Sequence, residues 1–348
     1  MITIGTRQIG PDQRPYLIAE MSGNHNRSLD RALALVEAAA ASGADAIKLQ
    51  TYTADTMTLN VRAPGFVIED PESLWNGRQL WELYDEAHTP WAWHEPIMAR
   101  AASLGLQCFS SPFDETAVDF LERLGVPAYK IASFELTDLP LIRHVARTGK
   151  PIIMSTGMAT VAEIHEAVET ARTAGNDQII LLKCTSTYPA TPETTHLSTL
   201  AAMRDTFGLT LGLSDHTMGC GVAVASVALG ACVIEKHFTL RRADGGVDSA
   251  FSMEPEEFAR LRTEADRAWQ AIGQVTFGGT PAEDRNREFR RSLYVSRDMA
   301  AGEAFTKDNL RIIRPGFGLA PKFYAEVLGR IVKADLTAGT PVSWDLLD

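Results

Sequence analysis

The sequence has few cysteines, and none of them is spaced as in a zinc site. The four lie in or beside apolar segments, with no CxxC pair among them: Cys108, Cys184, Cys220 and Cys232. We therefore interpret them as reduced thiols of the protein core. This interpretation excludes a structural zinc site built from cysteines.

The chain also has no surplus of positive charge and no long apolar run. Its formal net charge is −11, which argues against a general nucleic-acid-binding surface because such a surface needs a basic footprint. No apolar run approaches the roughly 20 residues of a membrane span. The N-terminus lacks the basic region, apolar stretch and cleavage site of a secretion signal. We expect a cytoplasmic protein without nucleic-acid or membrane partners.

Short β-rich runs alternate with longer amphipathic stretches from Tyr16 to about Gly273, which is the pattern of repeated βα units. The candidate strands are YLIAE, DAIKLQ, LQCFSS, AYKIAS, PIIMS, IILLKC, TLGLS and ACVIEKH. Eight such units over roughly 260 residues favour a closed (β/α)8, or TIM, barrel. An open doubly wound sheet is less well supported, since no GxGxxG follows the first strand.

An insertion and a repeat depart from this pattern. Residues 51–90 form a long insertion after the second strand, as in a lid or binding loop. Near the C-terminus, Asp298, Ala301, Gly302, Phe305, Thr306, Asp308 and Leu310 recur as Asp335, Ala338, Gly339, Val342, Ser343, Asp345 and Leu347. The repeat predicts a small pseudo-symmetric β-rich module. We therefore predict a catalytic barrel over residues 1–276, a linker over 277–289 and the module over 290–348.

Two histidines fall at the predicted tips of neighbouring strands. His216 follows the seventh strand and His237 ends the eighth. Because the chemistry of such barrels takes place at the C-terminal ends of the strands, the two imidazoles are placed to share one metal ion. With water and substrate oxygens completing the ligands, Mn²⁺, Mg²⁺, Co²⁺ and Fe²⁺ are all open. The alternative for either histidine is a structural role.

Glu20 ends the first strand, which lies beside the eighth strand in a closed barrel. Its carboxylate is therefore a candidate catalytic acid or base near the metal. The alternative is that Glu20 only pairs with Lys236 or His25.

A phosphate site is predicted from the second, fourth and fifth strands. Lys48 and Lys130 are embedded in apolar strand sequence, which disfavours a purely solvated role. Ser155, Thr156 and Gly157 follow the fifth strand and are expected to open a helix, where amides and hydroxyls bind anions well. Further candidate donors, which are alternatively helix caps, are Ser133, Ser186 and Ser214.

Side chains suited to a sugar lie just past the strand tips. Gln50 and Tyr188 offer an amide and a hydroxyl group, although packing roles are equally open. Trp91 and Trp93 offer an aromatic platform, yet their position at a helix start favours core anchoring.

The ordered motifs of the chain resemble those of a known family. They are IAEMSGNHN, ADAIKLQTYTADTMTL, EAHTPWAWH, FSSPFDETAVDFLE, AYKIASFE, STGMAT, KCTSTYPA, GLSDHT and GACVIEKHFTL. Together they resemble the sialic acid synthases, and the C-terminal module is similar to type III antifreeze proteins (the SAF fold). TPWAWH and ADGGVDSAFS resemble the pseudaminic acid synthase branch of that family.

The resemblance implies a metal-dependent condensation of phosphoenolpyruvate with an N-acetylated amino sugar, 2,4-diacetamido-2,4,6-trideoxy-altrose in the pseudaminic branch. It implies His216 and His237 as ligands of Mn²⁺, Mg²⁺ or Co²⁺, and Glu20 as an essential carboxylate. Phosphoenolpyruvate would be held by Lys48, Lys130, Ser133, Ser155, Ser186 and Ser214. The sugar would be held by Gln50, Glu135, Tyr188, Asp248 and, from the partner subunit of a domain-swapped homodimer, Arg314.

Several alternatives remain open from the sequence. An N-acetylneuraminate or legionaminic acid synthase would use a different N-acetylated hexose, and a metal-dependent aldolase would split a sugar acid instead of making one. A non-enzymatic carbohydrate- or ice-binding protein would leave the strand-tip lysines and histidines unexplained. Arg27 stands where members of the family carry glycine, and we expect added bulk near the substrate rim.

Overall fold

A computed structural model of the chain describes residues 2–348, and the chain divides into two units, Met1–Gly273 and Gln274–Asp348. The first unit opens with an antiparallel hairpin of β1 (Ile2–Ile4) and β2 (Arg7–Ile9). Ile4 and Ile9 on this hairpin are buried in the same core cluster as Tyr16. The sequence patterns did not predict this hairpin, because three-residue strands are too short to show a period.

The following strands close into a parallel barrel. They are β3 (Tyr16–Glu20), β4 (Ala46–Thr51), β5 (Gln107–Pro112), β6 (Tyr129–Ile131), β7 (Ile152–Ser155), β8 (Ile179–Cys184), β9 (Thr210–Asp215) and β10 (Val233–His237). Neighbours in sequence pair with one another, and β10 pairs with β3 so that His237 lies opposite Glu20. The predicted (β/α)8 barrel is confirmed.

The barrel strands are buried on both faces, as expected for a parallel sheet covered by helices. Every residue of β8 is buried. At Gly212 in β9 the packing leaves no room for a side chain, since a Cβ would meet the carbonyl oxygen of Val233 and the side chain of Leu182. The barrel interior below the strand tips is therefore a packed core.

The helices of this unit are α1 (Leu29–Ala41), α2 (Ala54–Met57), α3 (Leu80–Ala87), α4 (His94–Ser103), α5 (Glu115–Leu124), α6 (Leu139–Ala146), α7 (Val161–Thr173), α8 (Thr199–Phe207), α9 (Gly221–Ala228) and α10 (Pro255–Ile272). Local sequence fixes their ends. The carboxylate of Asp114 accepts from the amide of Ala117 at the start of α5, and Gly125 ends that helix with a φ of 74°. No helix in the described part of the chain combines the length and the apolar character that a bilayer crossing requires.

The second unit contains α11 (Pro281–Asp284), β11 (Ser292–Val295), β12 (Leu310–Ile313) and α12 (Tyr324–Val327), with β11 and β12 antiparallel. Its core is a separate apolar cluster that includes Leu293, Phe305 and Val342.

The internal repeat predicts a pseudo-symmetric arrangement in this unit, and the hydrogen bonds are consistent with it. Asp298 accepts from the amide of Ala338, and its repeat equivalent Asp335 accepts from the amide of Ala301, both at 2.8 Å. The two copies therefore hold each other through the same contact.

Candidate active site

The C-terminal ends of the barrel strands surround two adjoining cavities. The inner cavity, of about 60 Å³, is lined by Glu20, Lys48, Gln50, Ser111, Phe113, Lys130, Ala132, Ser133, Ser155, Cys184, Tyr188, Ser214, His216, Glu235 and His237. The outer cavity, of about 400 Å³, is lined by Ser22, Gln50, Tyr52, Met57, Ile68, Trp75, Leu80, Leu83, Tyr84, Ala87, Phe113, Ala132, Phe134, Glu135, Ser186, Tyr188, His237, Val247 and Asp248. Every barrel residue to which the resemblance gives a role lines one or both cavities, whereas Thr156 and Gly157 line neither.

A cluster of buried charged side chains occupies the inner cavity. Lys48 Nζ lies 2.7 Å from Glu20 Oε2, and Lys130 Nζ lies 3.4 Å from Glu235 Oε1. Lys48 Nζ also lies 3.8 Å from Glu235 Oε1, which links the two pairs. The side chains are at most 5% exposed. The two lysines are brought together as predicted, but their charge is balanced by two carboxylates.

Sequence reasoning missed Glu235 in this cluster. A usable signal was its position two residues before His237 on the same strand, because residues two apart face the same side of a sheet.

The cluster separates the pKa values of its two carboxyl groups. Burial raises the pKa of Glu20 to about 7, although Lys48 beside it opposes the shift. Burial would also raise the pKa of Glu235, but Lys130 and Lys48 outweigh it and lower that pKa. At neutral pH, Glu20 is therefore the carboxyl group that can both release and accept a proton.

The two lysines are shifted in opposite directions. Burial lowers the pKa of Lys130. Burial acts the same way on Lys48, but the neighbouring Glu20 and Glu235 carboxylates outweigh it and raise the pKa. Lys48 therefore stays a cation even though it is buried.

The alternative partners considered for Glu20 are wrong. Lys236 Nζ donates instead to Asp215 Oδ2 at 3.0 Å, on the outer side of the strands. His25 is buried against Trp93, with ring centroids 5.5 Å apart. The carboxylate of Glu20 thus pairs with Lys48 and accepts a hydrogen bond from Gln50 inside the barrel.

The turn after β7 has the shape of a small cradle. The buried hydroxyl of Ser155 has no hydrogen-bond partner. A Cβ on Gly157 would lie 2.6 Å from both Ser133 Oγ and Ser186 Oγ, so only glycine lets these hydroxyls converge. Ser186 Oγ contacts Cys184 Sγ at 3.6 Å, so Ser155 is the hydroxyl of this group that lacks a partner. Hydroxyl groups that converge at a tight turn are suited to an anion.

Two details of the predicted phosphate turn are wrong. The hydroxyl of Thr156 donates to the carbonyl oxygen of Leu182 at 3.1 Å, so it is already used inside the fold. The helix after this turn starts at Val161, with Thr160 as its cap, so the turn does not lie at the helix N-terminus. Hydroxyls and lysines, rather than a helix end, supply the positive potential here.

The imidazoles of His216 and His237 are neighbours, with ring centroids 5.3 Å apart. His216 Nδ1 lies 2.9 Å from the carbonyl oxygen of Thr185, and because that oxygen can only accept, Nδ1 carries the proton and Nε2 is free. Burial lowers the pKa of His237 well below its usual value, and its Nδ1 has no hydrogen-bond partner. Burial would lower the pKa of His216, but the hydrogen bond to Cys184 outweighs it and raises that pKa. His237 thus has the neutral form that binds a metal, and His216 offers Nε2 once it has lost its second proton.

Within residues 2–348, no three His, Cys, Asp or Glu side chains are grouped so as to hold a metal ion. A divalent ion held by the two imidazoles alone would need water or substrate oxygens as its remaining ligands.

Polar side chains connect the inner cavity to the outer one. Gln50 Nε2 donates to Glu20 Oε1 at 2.8 Å and to Ser22 Oγ at 3.2 Å, and Ser22 in turn donates to Asp248. Burial raises the pKa of Glu135 to about 7, and Glu135 Oε2 has no partner. Gln50, Glu135 and Asp248 all line the outer cavity, and of the three Glu135 is the one with an unpaired oxygen.

Tyr188 lies between the two cavities. Its ring centroid is 4.5 Å from that of His216 and 6.5 Å from that of His237.

Some residues singled out from the sequence lie elsewhere. Arg314 follows β12 in the second unit and is exposed. Trp91 stacks on Phe120 at 4.6 Å, so the predicted packing role of Trp91 is supported.

Arg27 lines neither cavity. Its guanidinium pairs with Asp85 at 2.9 Å and is 60% exposed, so the bulk expected at the substrate rim is directed away from it. Its φ is 58°, a backbone conformation that glycine adopts most easily, so the glycine that the resemblance implies at this position would suit this turn.

Comparison with known proteins identifies the family of the chain. The NeuB family model matches residues 35–277, and the SAF domain model matches residues 290–348. The chain therefore belongs to the NeuB family.

Individual relatives are more specific. The chain is 43% identical to a pseudaminic acid synthase of Campylobacter jejuni over 328 residues, 94% of this chain and 95% of the relative. It is 43% identical to a pseudaminic acid synthase of Helicobacter pylori over 334 residues, 96% of this chain and 98% of the relative.

Among solved structures, the N-acetylneuraminic acid (sialic acid) synthetase of Leptospira borgpetersenii, in complex with citrate, matches with a TM-score of 0.73 and 30% identity, covering 83% of this chain and 95% of that one. These matches confirm the resemblance to sialic acid synthases, to their pseudaminic acid branch and to the SAF fold.

Proposed function

We propose that the chain is a pseudaminic acid synthase, which condenses phosphoenolpyruvate with 2,4-diacetamido-2,4,6-trideoxy-altrose. The observation that carries this proposal is the buried charge cluster of Lys48, Lys130, Glu20 and Glu235 beside the two neighbouring imidazoles, in a NeuB family chain. Two buried ammonium groups suit a small phosphorylated anion. The outer cavity of about 400 Å³ has room for an open-chain hexose.

Phosphoenolpyruvate is proposed to lie in the inner cavity. Lys48 and Lys130 would neutralise its phosphate and carboxylate groups, and the Ser155 hydroxyl would gain the partner that it otherwise lacks. Ser133 and Ser186, which converge at Gly157, would donate to the same ligand. Ser214, whose hydroxyl donates to Glu235 Oε1 at 3.2 Å, is proposed as a further donor to the ligand.

The sugar is proposed to lie in the outer cavity with its aldehyde directed towards the imidazoles. Gln50, Glu135, Tyr188 and Asp248 all line that cavity and would hold its polar groups. A divalent ion such as Mn²⁺, Mg²⁺ or Co²⁺, held by His216 and His237, would supply Lewis-acid polarisation of the aldehyde.

Metal binding can be checked without turnover. Calorimetric titration with Mn²⁺ should detect binding to the wild type and none to the His216→Ala variant. Equal affinity of the two proteins would contradict the assignment of His216.

The proposed reaction forms one carbon–carbon bond and breaks one carbon–oxygen bond. C3 of phosphoenolpyruvate attacks the aldehyde carbon, and the protonated form of Glu20, whose pKa is about 7, gives its proton to the aldehyde oxygen. Water then adds to C2, and Glu20 takes the proton that this water loses. The C2 hydroxyl passes its proton to the departing phosphate, which leaves with the bridging oxygen, and a keto group remains.

The bridging oxygen provides the test. Phosphoenolpyruvate labelled with ¹⁸O in the C–O–P bridge should give labelled phosphate, together with a nonulosonic acid detectable by mass spectrometry. A metal-dependent aldolase would instead release pyruvate from a sugar acid without any need for phosphoenolpyruvate. No phosphate release on addition of the sugar would overturn the proposed function.

We further propose that the SAF domain, residues 290–348, covers the barrel mouth of a second copy in a domain-swapped homodimer, with Arg314 contacting the sugar there. Mixing can test this exchange. Arg314→Ala and Lys130→Met chains should each be inactive, and an equal mixture that has re-equilibrated should recover about a quarter of the wild-type activity, since half of the dimers then hold one intact site. No recovery, with mixed dimers demonstrated, would exclude the exchange.

A further inference from the structure

The outer cavity has an apolar wall that comes from the insertion after β4. Its members are Met57, Ile68, Trp75, Leu80, Leu83 and Tyr84. The polar lining residues of the same cavity come from elsewhere, mostly from the strand ends. A ligand in this cavity thus meets polar groups mostly from the strand ends and a set of apolar side chains from the insertion.

The wall is held in place by the insertion's own backbone. The amide of Ile68 donates to the carbonyl oxygen of Arg78 at 2.9 Å, and the amide of Gly77 donates back to Ile68 at 2.7 Å. The amide of Leu80 donates to the carbonyl oxygen of Phe66 at 2.9 Å. These bonds close the segment into a hairpin-like loop, so the apolar side chains have defined positions.

Trp75 contributes a ring rather than a hydrogen-bond donor. Its Nε1 already donates to the carbonyl oxygen of Val247 at 3.0 Å. Its ring centroid is 6.0 Å from that of Tyr188, which itself adjoins His216. The apolar wall therefore reaches the edge of the reaction centre.

Such a wall distinguishes between sugars by the number of hydroxyl groups they turn towards it. A hydroxyl pressed against hydrocarbon loses its water without gaining a partner, which is unfavourable. A methyl group at the same place gains from leaving water. An ordinary hexose has a hydroxyl on C6, whereas the proposed substrate has a C6 methyl group and two acetamido methyl groups.

We propose that Ile68, Trp75 and Leu80 are specificity-determining residues, which contact the C6 methyl group of the sugar and select 6-deoxy over 6-hydroxy substrates. This inference rests on the proposed synthase activity. In this proposal the insertion discriminates between sugars, while the inner cavity binds phosphoenolpyruvate, which reacts with all of them.

A pair of sugars that differ by one oxygen tests the inference. The two are 2,4-diacetamido-2,4,6-trideoxy-altrose and its 6-hydroxy counterpart, and the readout is the ratio of their kcat/KM values in phosphate release. For the wild type we expect a preference of about 10-fold or more for the 6-deoxy sugar. In the Leu80→Asn variant, the ratio should fall by about 10-fold.

The insertion offers a matched control. Leu74 lies in the same loop, is 51% exposed and does not line the cavity, so Leu74→Asn should keep the wild-type ratio. Ile68→Thr, which keeps the branched Cβ but replaces an ethyl group by a hydroxyl group, is the second cavity variant and should also lower the ratio. It serves as the test if Leu80→Asn proves unstable in thermal melting.

The outcomes separate this inference from the proposed function. Phosphate release with both sugars at equal kcat/KM, or a ratio that Leu80→Asn and Ile68→Thr both leave unchanged, would overturn the role of the wall while the synthase activity stands. Absence of phosphate release with either sugar would reject the synthase activity itself.

Discussion

Two buried lysines on opposite faces of the barrel strands show how differently a buried charge can be treated in one protein. Lys236 faces outward from β10, and its ammonium group donates to Asp215 and to the carbonyl oxygens of Thr217 and Gly219. Three donors thus meet three acceptors. The ammonium group of Lys236 is therefore fully paired without a ligand.

Lys130 faces the inner cavity, where several buried polar atoms have no hydrogen-bond partner. Its one charged neighbour within 4 Å in the described chain is Glu235, at 3.4 Å. Nearby, Glu235 Oε2, Ser155 Oγ and His237 Nδ1 have no hydrogen-bond partners. Since buried polar groups are nearly always paired in folded proteins, a cluster of exceptions marks the place where a ligand completes the structure. The outward-facing Lys236 stabilises the fold, whereas the inward-facing Lys130 is placed to bind a substrate.

The strongest test of this comparison is Lys130→Met. Loss of one of the two buried cations should lower kcat/KM for phosphoenolpyruvate by about 10³-fold, since the group would stabilise charge in a water-poor site. Unfolding in urea should show a smaller loss of stability than for Lys236→Met, because Ser214 and Lys48 still contact Glu235. Near-normal kcat/KM would mean that Lys130 serves the fold, like Lys236.

Lys236→Met should act mainly on stability. It leaves Asp215 buried without its cation, and we expect the free energy of unfolding to fall by about 3 kcal/mol. Lys150→Met is the matched control, since its pair with Glu122 is partly exposed and should cost no more than about 1 kcal/mol. If the two variants unfold at the same urea concentration, the outward pair is not a main support of the barrel.

The smallest expected effect is that of Glu135 on the free energy of unfolding, and this effect depends on pH. Burial raises its folded-state pKa from 4.5 to about 7, so between these values the folded chain binds more protons than the unfolded chain. The free energy of unfolding should therefore fall as the pH rises through this window and level off above it.

Glu135→Gln removes that dependence. Between pH 5 and pH 8, the wild type should lose about 1 kcal/mol more stability than this variant, after discounting for partial exposure. Urea unfolding at the two pH values measures the difference, with the exposed Glu166→Gln as control. Parallel losses in wild type and Glu135→Gln would show that this carboxyl finds a partner in solution.

Strand periodicity predicted most of the barrel and much of the site. Lys48 and Lys130 could be placed because each lies within an apolar strand. His216 and His237 could be placed because they follow or end one, and the C-terminal ends of parallel strands meet at one rim. This reasoning gives the position of a residue along its strand. It does not say which polar groups will pair, and for that reason Glu235 was missed.

The insertion was recognised, but its structure could not be predicted. Ile68 and Trp75 are positioned by backbone hydrogen bonds within a loop that has no regular period. Trp75 resembled any other aromatic residue in a polar segment, while Trp91, at a predicted helix start, was expected to anchor the core and packs on Phe120. Loop residues acquire their roles from contacts that only tertiary structure defines.

The mutual aspartate contacts of the C-terminal unit have a bearing on how that unit assembles. Each repeat copy supplies the acceptor for the other, so a chain severed between Gly318 and Ala320 would leave both carboxylates without their donors. Neither half is self-sufficient, and because the contacts join residues far apart in sequence, they form only once both copies have been synthesised. The unit should therefore unfold in a single cooperative transition, and shortening it by half should abolish it rather than produce a smaller stable version.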